Sequence, residues 1–237
     1  MNTLPALRSF AAGLALAFAA AAAAATSAPA PFTATYRVLQ GGQPIGEAVI
    51  TLKPVGDGQW EYSNRTQGTG GLAAALGASS SETTRFRWNG GAPETVSYDY
   101  RMDAAIKRKQ RHLAVDWNAR QVTVDDGKGP VGYASAPGLV DRNTVPLAIG
   151  LALRDGRQAL ALPVAVKRNV ETQRFKVAGQ EPVQVPAGRF QAARVERTDA
   201  ERAFSAWYAP QKYPVPVKLA QSDGGDLELQ LVSYKQP

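Results

Sequence analysis

The chain has 237 residues, a formal net charge of +7, one histidine and no cysteine. The lack of Cys excludes disulfides, thiolate zinc sites and cysteine nucleophiles, and a single His leaves a typical zinc site without ligands. The Lys and Arg residues are spread along the chain, a distribution that favours solubility over a nucleic-acid surface.

The N-terminus reads as a secretory signal: Arg8 supplies the cation, the run from Phe10 to Ala25 is almost all Ala, Leu and Phe, and Thr26-Ser27-Ala28 offers small residues for cleavage. The apolar run is short and Ala-rich for a membrane anchor, and no Cys follows it to carry a lipid. Cleavage is expected after Ala28, with Ala25 as the alternative. Residues 1–28 are then a signal peptide and 29–237 a single exported β domain, periplasmic, carrying about +6 once Arg8 is removed. The polyanions available there are phospholipid headgroups, lipopolysaccharide and acidic wall polymers.

Past Pro31 the dominant period is two. Phe32, Ala34, Tyr36 and Val38 alternate with more polar neighbours, Gly41-Gly42-Gln43-Pro44 turns the chain, and Ile45 to Lys53 resumes the alternation, giving a hairpin. Further strands are expected at Gln59–Gln67, Glu82–Trp88, Thr95–Met102, Ile106–Trp117, Gln121–Asp125 and Gly129–Ala134. In the second half they are expected at Ala159–Val166, Val170–Val177, Arg189–Thr198, Arg202–Tyr208, Val217–Gln221 and Leu227–Tyr234. About a dozen short strands at roughly 8–12-residue spacing indicate an all-β, mainly antiparallel protein. That spacing is the expectation for an antiparallel barrel or sandwich.

Two segments depart from that rhythm. Gly68 to Gly77 is small and apolar, with room for two or three helical turns. Asn143 to Arg154 reads as a helix, with Asn143 as N-cap, Pro146 in the first turn and Asp155-Gly156 as its end. Its Leu147, Ile149, Leu151 and Leu153 make it apolar enough to need cover, and the concave face of a sheet is the natural place. Near the C-terminus, Pro210, Pro214 and Pro216 cannot donate to a ladder. Trp207-Tyr208 is therefore expected to end a strand, followed by a stiff extended connection into Val217.

These motifs also carry a resemblance. "AWYAPQKYPVPVKLAQSDGGDLELQLVSY" (206–234), "YRVLQGGQPIGEAVITL" (36–52), "DRNTVPLAIGLALRDG" (141–156) and "VPAGRFQAARVER" (185–197) look like the signatures of the bacterial exported domain-of-unknown-function family 3108. The tail more distantly resembles the periplasmic lipoprotein carriers. That resemblance implies a curved half-barrel or β-roll of about a dozen strands with one or two short helices packed on it and plugging its apolar concave face, with Leu147–Leu153 and Leu72–Leu76 as plug segments. It transfers no catalytic or binding residue.

Little in the chain reads as catalytic. His112 lies among cations (Lys107-Arg108-Lys109-Gln110-Arg111), which makes it an ordinary strand residue ahead of a triad base. Asp99, Asp103, Asp116, Asp125, Asp126, Glu196, Glu201 and Asp226 could serve glycan chemistry only if two faced each other across a groove. Gly68–Gly77 lacks the Lys-Ser/Thr of a phosphate loop and reads as a tip, a lid or a plain surface loop. Lys107, Lys109 and Arg111 share one side of a strand, either as a contact for anionic headgroups or as a charged edge that prevents aggregation. Arg85 and Arg87 would extend that strip if their strand lay alongside.

The leading expectation is a non-enzymatic periplasmic protein binding an amphiphilic or apolar envelope ligand on its concave face. Leu72, Leu76, Leu147, Leu151, Leu153 and Trp207 would be the lining, and Lys107, Lys109 and Arg111 the headgroup contact. That reading requires an apolar cavity beside the helix. The alternative is a structural or scaffolding factor of the envelope with a filled core, and the minor one a glycan-active enzyme. No cofactor or metal is expected. The implied partners are an amphiphilic ligand or an envelope protein, with no nucleic acid and at most a peripheral contact with membrane.

Overall fold

The computed structural model describes residues 29–200, 204–222 and 226–237; the signal read at 1–28, and Glu201, lie outside them. Among the described residues, 15 strands form one sheet. The first half supplies β1 (Phe32–Gln40), β2 (Gln43–Gly56), β3 (Gln59–Gly68), β4 (Ser79–Asn89), β5 (Ala92–Ala104), β6 (Lys107–Asp116), β7 (Gln121–Asp125) and β8 (Val131–Ala134). The second supplies β9 (Val140–Asp141), β10 (Ala159–Ala165), β11 (Val170–Val185), β12 (Gly188–Arg197), β13 (Phe204–Tyr208), β14 (Lys218–Gln221) and β15 (Leu227–Lys235). Helix α1 (Gly71–Ala75) lies between β3 and β4, and α2 (Val145–Arg154) between β9 and β10.

The order β8-β7-β6-β5-β4-β3-β2-β1-β15-β14-β13-β12-β11-β10-β9 is two meanders joined by the pairing of β1 with β15. All pairings are antiparallel except the short β9–β10 contact. Extra residues at Val38/Leu39, Pro54/Gly56, Arg85/Phe86 and Val177/Gly179 shift the register, and such bulges bend and twist a sheet. The sheet curls until its ends approach, yet the ladder does not close. Across the gap the Thr95 N–H donates to the Leu139 carbonyl (2.9 Å), the Tyr133 hydroxyl donates to the Val166 carbonyl, and Lys167 pairs with Asp126.

Helix α2 sits inside the curl. All its residues from Val145 to Leu153 except Pro146 are buried. Leu147 and Leu151 pack with Phe32, Tyr36, Ile50, Tyr62 and Phe86 of β1–β4. The opposite side, Val145, Ala148, Ile149 and Leu153, packs with Phe175, Val195, Ala206, Tyr208 and Leu219 of β11–β14. Each large aliphatic side chain buried this way contributes about 2 kcal/mol.

Several boundaries differ from the sequence reading. The N-cap of α2 is Thr144; the Asn143 side chain is spent elsewhere, on the Tyr62 carbonyl and the Thr84 hydroxyl. Strand β11 runs past Val177 to Val185 because the bulge at Gly179 lets pairing with β12 continue. Ile106 does not open a strand; it occupies the β5–β6 turn, and pairing begins with Ala104 opposite Lys107.

The sequence reading left open where the proline-rich loop lies: Pro214, Val215, Pro216 and Val217 are all buried against α2. Proline makes this burial less costly, because it brings no N–H that would need a partner away from water. Some of the loop's carbonyls find donors: the Tyr36 hydroxyl donates to Pro216 (2.8 Å), the Leu231 N–H to Val217 (2.9 Å) and Arg154 Nε to Pro210 (3.1 Å). A Cβ on Gly150 would lie 2.0 Å from the Pro214 carbonyl oxygen. Gly150→Ala is therefore expected to destabilise the protein by about 3 kcal/mol through overpacking. Gly179→Ala, where a Cβ meets nothing within 4 Å, should shift stability far less; urea denaturation of both variants checks the contrast.

Candidate functional site

Three regions hold the polar chemistry of the described residues: the start of α2, the end of the half-barrel that carries the basic run, and troughs on the outer face.

At the start of α2, Asp141 is fully buried. Its carboxylate accepts from the hydroxyls of Thr84 (2.9 Å) and Thr95 (2.8 Å) and from the backbone N–H of Asn143 (2.9 Å). Burial pushes its pKa up to about 6 against these hydrogen bonds, with the neighbouring Glu82 adding to the rise. Glu82 is also buried; it accepts from the Tyr98 hydroxyl (2.7 Å) and holds Arg142 by both carboxylate oxygens at 3.1 Å. The Arg142 guanidinium lies 5.3 Å from the centre of the Tyr100 ring.

The cluster arises because β9 and the turn into α2 cross the inner faces of β3, β4 and β5. It ties the helix to those strands through polar groups whose partners are supplied. Every acceptor direction of Asp141 is taken by the chain itself, so the group fastens the helix.

The acid linkage of Asp141 has a definite sign. A carboxyl whose folded pKa lies above its unfolded value near 4 costs stability as it ionises, so its contribution falls as pH rises from about 4 to about 6. Relative to Asp141→Asn, which cannot ionise, wild-type protein should lose roughly 2–3 kcal/mol between pH 4 and pH 7. Urea midpoints of both proteins across that range measure it, the difference between them removing the contribution of other carboxylates.

The basic run alternates as expected. Lys107, Lys109 and Arg111 lie on the side of β6 that carries the buried Leu113, towards the inside of the curl, in rows with Ala104, Met102 and Tyr100 of β5. Lys107 and Lys109 are exposed, and Arg111 is half-buried, its Nε shielded and without a hydrogen-bond partner among the described residues. Arg85 and Arg87 do not extend the strip. They alternate with the buried Phe86 and face outwards, and Arg87 is held by Glu94 at 2.7 Å.

Of the expected apolar lining, Leu147, Leu151 and Leu153 are brought together, but inside the core. Leu72 is 72% exposed and Leu76 half-buried on the α1 segment. Trp207 alternates with the buried Ala206 and Tyr208 and faces outwards, its indole N–H donating to Glu181 and the Lys218 ammonium 5.0 Å over its ring. The six residues therefore do not line one concave surface.

Trp207 instead borders an open trough of about 600 Å³ with Leu39, Ser205, Ala220, Glu228 and Gln230. A second trough of about 480 Å³ is lined by polar and charged residues, Glu61, Ser81, Thr83, Arg85, Ser97, Asp99 and Arg101.

His112 lies exposed against Asp99 at 2.9 Å. The carboxylates weighed for glycan chemistry are dispersed: Asp103 pairs with Arg108, Asp126 with Lys167 and Glu196 with Arg194, while Asp116 and Asp125 accept backbone N–H groups in turns. Three carboxylates are buried among the described residues, Asp141, Glu82 and Glu94, and all three escaped the sequence reading. The Asp-Arg-Asn-Thr run before a helix was visible, but not its burial.

The profile of the family described as protein of unknown function (DUF3108) matches residues 32–232. The chain belongs to that family. Among curated proteins none matches. Among solved structures the chain is similar to a beta-barrel-like protein of domain of unknown function DUF1849 from Brucella abortus. The TM-score is 0.53 at 10% sequence identity, covering 89% of this chain and 99% of that one. At that identity the likeness concerns the fold: a DUF3108 chain and a DUF1849 chain share one curled sheet.

Proposed function

We propose that this DUF3108 protein is a non-enzymatic, exported envelope protein that works as a scaffold through its surfaces. The observation that supports this over ligand carriage is the occupied interior. Helix α2 and the Pro214–Val217 loop take the place on the concave face that an acyl chain would need. An apolar ligand there would have to displace side chains whose burial contributes about 2 kcal/mol each. The buried carboxylates Asp141, Glu82 and Glu94 are committed to internal donors, which supports a non-catalytic reading.

Binding of an amphiphile is the second reading, and one observation favours it. Tyr62 is buried in the core beneath α2, yet its hydroxyl has no hydrogen-bond partner among the described residues. A buried hydroxyl without a partner costs about 1–3 kcal/mol, and a ligand carbonyl or ester reaching the core when α2 lifts would satisfy it.

Native mass spectrometry of the exported protein, purified without detergent, separates the two readings. The scaffold reading expects the mass of the chain alone, unchanged after incubation with envelope lipids. A stoichiometric extra mass that extracts into organic solvent would overturn it in favour of the carrier.

A further inference from the structure

The two most exposed large apolar side chains among the described residues are Leu72 (72%) and Ile106 (87%). Scattered exposed hydrophobics are ordinary, but these two belong to one structure. Leu72 begins the α1 segment, and Ile106 sits at the tip of the β5–β6 turn. The Ala105 N–H of that turn donates to the Leu76 carbonyl just past α1 at 3.0 Å. No charged residue occurs from Gly68 to Ala78, and Ala74, Ala75 and Ala105 are exposed as well.

The segment is built to hold this shape. The N–H groups of Thr69 and Gly70 both donate to the Ile45 carbonyl, and Ala78 N–H closes back onto Ala73. An isoleucine at a hairpin tip also runs against the Gly, Asn and Asp that turns normally select.

Cations surround this apolar tip. Lys107, Arg108 and Lys109 follow Ile106 directly and are exposed. The β7–β8 and β10–β11 turns, joined by the Lys167–Asp126 pair, add exposed Lys128 and Arg168. The nearby acids are already engaged: Asp103 with Arg108 at 3.4 Å, Asp126 with Lys167, and Asp125 with the Gly127 N–H. Lys107, Lys109, Lys128 and Arg168 form no salt bridge among the described residues, and an apolar projection flanked by such cations is complementary to a layer of phosphate headgroups over acyl chains.

We propose that this end of the half-barrel docks peripherally on an anionic phospholipid surface. Leu72 and Ile106 enter the acyl boundary, while Lys107, Lys109 and the neighbouring turn cations meet the phosphates. The scaffold reading places the chain beside a membrane in the cell; docking itself is tested independently of that reading. Binding is reversible and salt-sensitive, since two side chains and a basic patch fall well short of a spanning anchor.

The test uses the exported protein with vesicles of phosphatidylcholine alone and of phosphatidylcholine with phosphatidylglycerol. Sedimentation is expected to show binding to the anionic vesicles only, weakened about tenfold or more by Leu72→Ser with Ile106→Ser and likewise by Lys107→Glu with Lys109→Glu. Both pairs are exposed, so circular dichroism and melting should stay as in wild type. Because the chain has no native cysteine, Ile106→Cys carrying an environment-sensitive fluorophore gives a second readout, a blue shift on anionic vesicles and none on neutral ones. Absence of binding, which would turn this surface towards a protein partner, overturns the proposal. Binding indifferent to the Leu72/Ile106 pair with an unshifted probe also overturns it.

Discussion

A helix that is apolar on every side cannot face water, and the rest of this molecule is arranged around that constraint. Helix α2 has no polar stripe between Val145 and Leu153, so a flat sheet could bury only half of it. The sheet instead bends at its bulges until β1–β4 meet one side of the helix and β11–β14 the other. The Pro214–Val217 loop supplies cover where Gly150 lets a backbone carbonyl come into contact. Curvature, helix and proline loop are one solution to a single burial problem.

Burying the helix strands the polar groups at its start, and the structure answers with a deep polar cluster. Thr84, Thr95 and backbone N–H groups surround Asp141, and Glu82 with Tyr98 holds Arg142. A cluster of this kind adds little to net stability, because desolvation offsets most of the attraction. It does make position specific: a helix whose sides are all Leu, Ile, Val and Ala could slide or rotate, whereas four polar residues in sequence fit one place only.

A filled interior moves the remaining chemistry outwards. The inner face is occupied and the buried carboxylates are enclosed, so contacts with anything else fall to the outer troughs and to the ends of the curl. One end is the less ordinary of these: the apolar α1 segment and the Ile106 turn stand among cations there. In a small β protein, turns are where exposed backbone is cheapest to present and where side chains are least needed for the core.

Much of this could be read from the residues. Alternation located most strands, Gly and Pro marked their ends, and the uninterrupted apolar run after Asn143 demanded a covered helix, because period and polarity are local properties of a chain. What could not be read depended on contacts distant in sequence. Asn143 looked like a cap because its neighbours allowed it, but the Tyr62 carbonyl, more than eighty positions away by sequence, claimed its amide. Val215 and its flanking prolines could as well have lain on the surface; only α2 beside them made a buried loop the lower-energy place. Trp207 and Tyr208 adjoin on β13, and the pleat sent one outwards and kept the other within. Composition and periodicity determined an antiparallel all-β chain with an apolar helix to bury. Only the tertiary structure decided that helix and loop fill the curl, since occupancy of an interior depends on how distant segments divide one volume.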